Sequence, residues 1–159
     1  MSEDPLWTFS LDLYGRPGAA PACLTLQDEA GADVTILLYL IWCAATNRSL
    51  DAGAVRAADD AVAAWRAAVV EPLRRVRRAT KTPLLAGTGT EAFRDRIKAV
   101  EIEAERLALA ALSAGAPRAG PPLDPLASAR RHLDLYALHL GRPLPRAASD
   151  ALLGAFAGL

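Results

Sequence analysis

CLTLQDEAGADVTILLYLIW, residues 23–42, is the stretch on which the fold turns. Its first half can close a helix at Glu29. Gly31 can take the left-handed conformation that ends a helix, and Asp33 can accept the first free amides of the next one. From Val34 to Ala45 the chain reads VTILLYLIWCAA, with no charge. A helix apolar on every side belongs in the middle of a globular domain or in a bilayer. This run is far shorter than the roughly 20 residues a span requires. Asp33 closes it on one side, Asn47 and Arg48 on the other. The expectation is a buried central helix over about 33–47 and no membrane role.

The totals agree with a core of that kind. A chain of 159 residues suits one domain. An apolar fraction of 52% is ample for burial, and 23% charge with zero net charge excludes both wholesale disorder and a general affinity for nucleic acid. Cys23 and Cys43 lie in apolar surroundings, which points to two buried reduced thiols rather than a disulfide. The segment MSEDPLW has neither a basic nor an apolar leader region, so a cytoplasmic location is expected.

Outward from the central helix, other helices follow by cap and period. Asp4-Pro5 is a helix start, with Leu6, Phe9 and Leu13 at helical spacing up to Gly15. Pro21 begins a short second helix that runs into the Gly31 turn. After TNRSLDAG, a fourth helix extends from Ala52 to about Lys81 with Pro72 inside it. Its stripe of Val62, Trp65, Val69, Leu73 and Val76 keeps step across the proline, which favours a kink over a break. The loop TPLLAGTGT leads to a fifth helix, about 91–114, with Phe93, Ile97, Val100, Ala104, Leu107 and Ala111 as its main stripe, Ile102 and Leu109 as a second stripe on another side, and Arg94, Lys98, Glu101 and Glu105 as a partly enclosed polar column between them. SAGAPRAGPPLDP contains the linker, 115–125. Asp124-Pro125 then starts a helix with Leu126, Leu133, Ala137 and Leu140 inward, and a last helix carries Leu152, Leu153 and Phe156. The expected architecture is all-α: six or seven helices in a single-domain bundle, with a core over 1–114 and a helical hairpin over 126–159 packed on that core or on a partner.

Residues suited to chemistry are few. There is no Gly-rich phosphate loop, nucleophile elbow, CxxC pair or His-containing metal spacing, so no catalytic residue, metal or cofactor is expected. His132 and His139 stand two helical turns apart, too far to share an ion. On the fourth helix Arg74, Arg77, Arg78 and Lys81 form a basic arc within roughly 100°. It can pair internally with Glu101 and Glu105, bind an anionic small molecule, or bind nucleic acid. Internal pairing is the default, and the balanced charge and lack of interleaved aromatics weigh against nucleic acid. Asp28 lies near the C-terminal end of its helix, where a carboxylate opposes the dipole by about 0.3–1 kcal/mol. An arginine of the arc is the expected partner, and Gln27 with Asp28 is the alternative ligand-facing pair. Antiparallel packing of the fourth and fifth helices would bring Arg74 or Arg78 to Glu101.

The segments LWTFSLDLYGRPG, ACLTLQDEAGADVTILLYLIW, PLRRVRRATK and EIEAER resemble an uncharacterised bacterial family of small helical conserved hypothetical proteins, over about the first 110 residues. LQD-x-x-G-x-DV followed by an apolar helix is the marker. The resemblance implies an all-helical, soluble bacterial protein and carries no activity or site residue with it. The function expected is non-enzymatic, through contact with another protein or self-association. A small anionic-ligand or enzymatic site built from Gln27, Asp28 and the Arg74–Lys81 arc is the alternative.

Overall fold

The computed structural model describes residues 3–159. It contains α1 (Pro5–Tyr14), α2 (Ala19–Ala30), α3 (Val34–Ala45), α4 (Ala52–Trp65), α5 (Glu71–Ala79), α6 (Glu91–Ala114), α7 (Pro125–Leu140) and α8 (Arg146–Ala157). A π-helical turn, Arg66–Val70, joins α4 to α5 without a break. The eight segments thus make seven helices, and the described residues contain no strand.

The central stretch folds as its residues dictate. Gly31, at φ 68°, lets its own amide return to Gln27 O and the Ala32 amide to Leu26 O, satisfying carbonyls at the end of α2. Asp33 then caps α3: its Oδ1 accepts the Thr35 amide at 2.8 Å and the Thr35 hydroxyl at 2.6 Å. Every residue from Thr35 to Ala44 is buried. Helices α1, α2, α4, α6 and α7 all touch α3, which accounts for its lack of any polar face. No helix among the described residues is long and apolar enough to cross a membrane.

Pro72 has no amide to donate to the carbonyl four residues back, and its ring would clash there. The wider turn just before it, closed by the Glu71 amide on Arg66 O, takes up the misfit and keeps the rod continuous. The extra residue shifts the inward phase: Val62 and Val70 are buried, whereas Trp65 and Val76 are exposed.

The fifth predicted helix, α6, corrects the sequence reading further. Phe93, Val100, Leu107 and Ala111 are exposed, and the buried face is Glu101, Ala104, Ala108, Leu109 and Leu112. Small side chains at 104 and 108 let α6 approach its neighbours closely, as Phe93 or Leu107 would not. The Trp65 indole fixes this rotation by donating to Ala104 O at 2.9 Å. On α7, Leu126 is likewise exposed, and Ala129, His132, Leu133 and Tyr136 face inward. His132 belongs there because both ring nitrogens are satisfied. The Leu50 amide donates to Nε2 at 3.1 Å, so Nδ1 carries the proton and donates to Leu40 O at 2.9 Å. Burial pushes its pKa down, which suits the neutral ring.

Helix α7 packs on α3 and α8 on α2, and Leu133, Tyr136, Leu152 and Phe156 join the same core cluster as the N-terminal helices. The connecting segment is tied down by the Gly120 amide on Asn47 O, the Leu123 amide on Asn47 Oδ1 and Arg48 Nε on Pro117 O. A charged network clamps α3, the π turn, α4 and α7 together. Arg66 bridges Asp33 and Asp59, each at 2.5 Å, while His139 Nε2 meets Asp59 at 2.8 Å. The Asp33 amide donates to the Tyr136 hydroxyl at 2.9 Å.

Candidate functional site

A cleft of about 500 Å³ opens where α1, α2 and the start of α3 face α5 and α6. Helical spacing builds its polar side. Arg74 and Arg77 come from successive turns of α5; Lys98, Glu101 and Glu105 come from three turns of α6. Gln27 reaches it from α2, and Ser10 and Tyr14 from α1. Leu11, Leu24 and Ile102 are apolar, line the same cleft and are exposed.

Glu101 is only 5% exposed. Its carboxylate accepts from Arg77 Nε and, at 3.2 Å, from Arg77 Nη2, while Arg74 Nε stands 3.7 Å away. The hydrogen bond it donates to Glu101 keeps the Arg77 guanidinium firmly charged against the opposing effect of burial. Glu105 has a poorer partner, Arg74 Nη2 at 3.6 Å. Burial first, and then the charge of Glu101, push its carboxyl up to about 7, and Arg74 offsets only part of this. Near neutral pH Glu105 therefore exists in both protonation states beside a carboxylate that stays bound to arginine.

Ser10 is 2% exposed, and its Oγ makes no hydrogen bond. Buried hydroxyls are normally paired, because an unpaired one costs about 1–3 kcal/mol. It is also the only such side-chain atom among the described residues.

Of the residues singled out in the sequence, the cleft gathers Gln27, Arg74, Arg77, Glu101 and Glu105. Asp28, Arg78 and Lys81 do not line it. Asp28 and Arg78 meet one another at 3.5 Å on the surface, 58% and 54% exposed, where water screens the pair. Lys81 lies beyond the end of α5 and is exposed. Arg74 meets Glu101 as expected, at 3.7 Å; Arg77, one turn further along the same face, comes closer, and Arg78 pairs instead with Asp28. Ser10 and Tyr14 escaped the sequence reading. A signal for Ser10 existed: it occupies the inward stripe Leu6, Ser10, Leu13, where a leucine would otherwise pack.

Among the described residues no group of three His, Cys, Asp or Glu side chains could hold a metal ion. The Asp33–Arg66–Asp59–His139 network offers no such group and pairs its charges internally. No curated protein and no solved structure matches the chain. Residues 5–112, about two thirds of it, match a family described as "Protein of unknown function (DUF2390)". All the residues lining the cleft fall within that stretch, whereas His139 and the rest of α7 and α8 lie beyond it. The chain therefore belongs to this family of helical proteins.

Proposed function

We propose that this protein binds a small organic molecule in the cleft between α1, α2, α5 and α6. The observation that carries the reading is the lining itself: charged pairs from α5 and α6 face exposed apolar side chains from α1, α2 and α6, and Ser10, whose buried Oγ has no partner, lies in the wall behind them. The cleft volume falls in the range of small-molecule sites, roughly 300–1,000 Å³. Exposed Leu11, Leu24 and Ile102 supply apolar contact, and the family match covers the whole lining. The buried free thiols of Cys23 and Cys43 support a reducing compartment such as the cytoplasm.

Thermal-shift measurements against organic acids, amines and neutral apolar compounds test this. At least one class should raise the melting temperature. Leu24→Gln with Ile102→Gln, which strips exposed apolar side chains from the cleft, should abolish the rise. Absence of stabilisation by every class, or a rise unchanged in the double variant, would overturn the proposal.

A second reading, action through protein contact, draws on the exposed row Phe93, Val100 and Leu107, spaced by seven on one face of α6. Sedimentation velocity tests its self-association form: a dimer lost on Val100→Glu favours it, and a monomer in both proteins opposes it.

A further inference from the structure

We infer that the ligand of the cleft is a small monoanion with an apolar body, such as a hydrocarbon carboxylic acid, held by Lys98 with its body against Leu11, Leu24 and Ile102. The inference rests on the reading of the cleft as a ligand site and narrows it to one chemical class.

Charge sets the head group. Three cations, Arg74, Arg77 and Lys98, share the cleft with two carboxylates, Glu101 and Glu105. Arg77 commits both Nε and Nη2 to Glu101, and Arg74 is divided between Glu101 and Glu105. Lys98 is exposed and has no ion-pair partner among the described residues. One positive charge is thus left over. A dianion such as a phosphate ester wants arginine forks, and here the forks are taken while two carboxylates stand nearby. A cationic ligand would have to compete with two arginines for the same carboxylates. A single negative charge fits the surplus.

The walls set the body. Leu11, Leu24 and Ile102 are all roughly half exposed, so covering them removes apolar surface from water at about 25 cal/mol per Å². A fully polar anion would leave that gain unused.

Protonation of Glu105 should modulate this binding. The charged and titratable groups near it are Arg74 and Arg77 from α5, Tyr14 from α1, Asp33 at the start of α3, and Glu101 and Lys98 on its own helix. Protonation removes a negative charge that competes for Arg74. Affinity for an organic anion should therefore rise as pH falls through about 7. The rise should end once the ligand's own carboxyl protonates, at about 4–5.

Octanoate, octanol and octylamine differ mainly in the charge of the head group, and titration calorimetry of the full chain with each provides the test. Octanoate should bind most tightly, by roughly two- to fivefold over octanol, about what one screened charge contributes. Lys98→Met should erase that margin and leave octanol unaffected, an outcome that simple loss of folding would not produce. Octanoate should bind more tightly at pH 6 than at pH 8. Octanol equal to octanoate, or octylamine tighter than both, with binding still lost in Leu24→Gln/Ile102→Gln, would overturn the anion class and leave the site standing. No binding by any of the three would overturn the inference. Octanoate binding unchanged in that double variant would overturn both the class and the site.

Discussion

Ser10 shares its stripe of α1 with Leu6 and Leu13, both fully buried, yet it brings to that position a hydroxyl with nothing to bond. Ser10→Ala removes the unpaired group and keeps nearly the same shape. Stability measured by urea titration should stay the same or rise by up to about 1 kcal/mol. A clear loss of stability would mean that Oγ does have a partner. Glu105 makes a separate case through pH. Its carboxyl is pushed up to about 7, so the folded chain holds this proton more tightly than the unfolded one. The stabilising contribution is complete below the ordinary carboxylate range and is lost as pH rises through about 7. Glu105→Gln should therefore flatten the stability profile between about pH 5 and 8 and leave the variant more stable at pH 8. The gain should be on the order of 1–2 kcal/mol, less than the whole shift implies, because 31% of the side chain faces water. Equal pH profiles for the two proteins would show that the glutamate titrates normally.

At the scale of elements, α3 and α6 show two ways to bury a helix. Helix α3 does so with large apolar residues all round. Leu40, fully buried among them, should cost about 2–5 kcal/mol as Leu40→Ala, read as a lowered urea midpoint with an unchanged slope. Helix α6 does so with small residues on one face and leaves large ones outside. Ala104, 3% exposed where the Trp65 indole bonds its carbonyl, would have to accommodate three more heavy atoms as leucine. Ala104→Leu should destabilise by about 1–3 kcal/mol through overpacking. Val100→Ala on the exposed face should stay within about 0.5 kcal/mol. The reverse order would restore the inward stripe that hydrophobicity alone suggests.

Across the whole molecule, Arg66 joins parts of the chain that are far apart in sequence. It neutralises Asp33 at the head of α3 and Asp59 on α4, and Asp59 in turn holds His139 of α7. Burial alone would raise the Asp59 carboxyl, but hydrogen bonds from His139 and Arg66 outweigh it and hold the pKa below its usual value. That contribution is present above the ordinary aspartate range and is lost as pH falls through the lowered folded value. Arg66→Met keeps the apolar stem and removes the charge, leaving two largely buried carboxylates facing one another. A loss of about 3–5 kcal/mol is expected by urea titration at neutral pH, with partial recovery when Asp59→Asn is added. A loss under about 1 kcal/mol would show that the network is solvated like an ordinary surface pair.

Local pattern was enough for most of the architecture. The caps Asp4, Asp33, Asp51 and Asp124, the Gly31 turn and the uncharged run of α3 each act within a few residues, and they set helix number, order and the identity of the central helix. The basic arc and the glutamates opposite it were also legible, because helical spacing puts them on one face. Rotation of α6 was legible only in part: Ala104 and Leu109 stood on the expected stripes and are buried, but the outward turn of Phe93, Val100 and Leu107 depends on how closely two backbones approach and on one indole reaching one carbonyl. Arg74 meets Glu101 as antiparallel packing suggests, whereas the closer approach of Arg77 and the π turn before Pro72 are features that no periodicity records. The cleft itself is a property of five segments meeting. Sequence could nominate Gln27 and the arginines, but burial of Ser10 without a partner and the displacement of the Glu105 proton arise only when α1, α5 and α6 enclose the same space. Desolvation and charge proximity are sums over neighbours, and only the packed chain determines who the neighbours are.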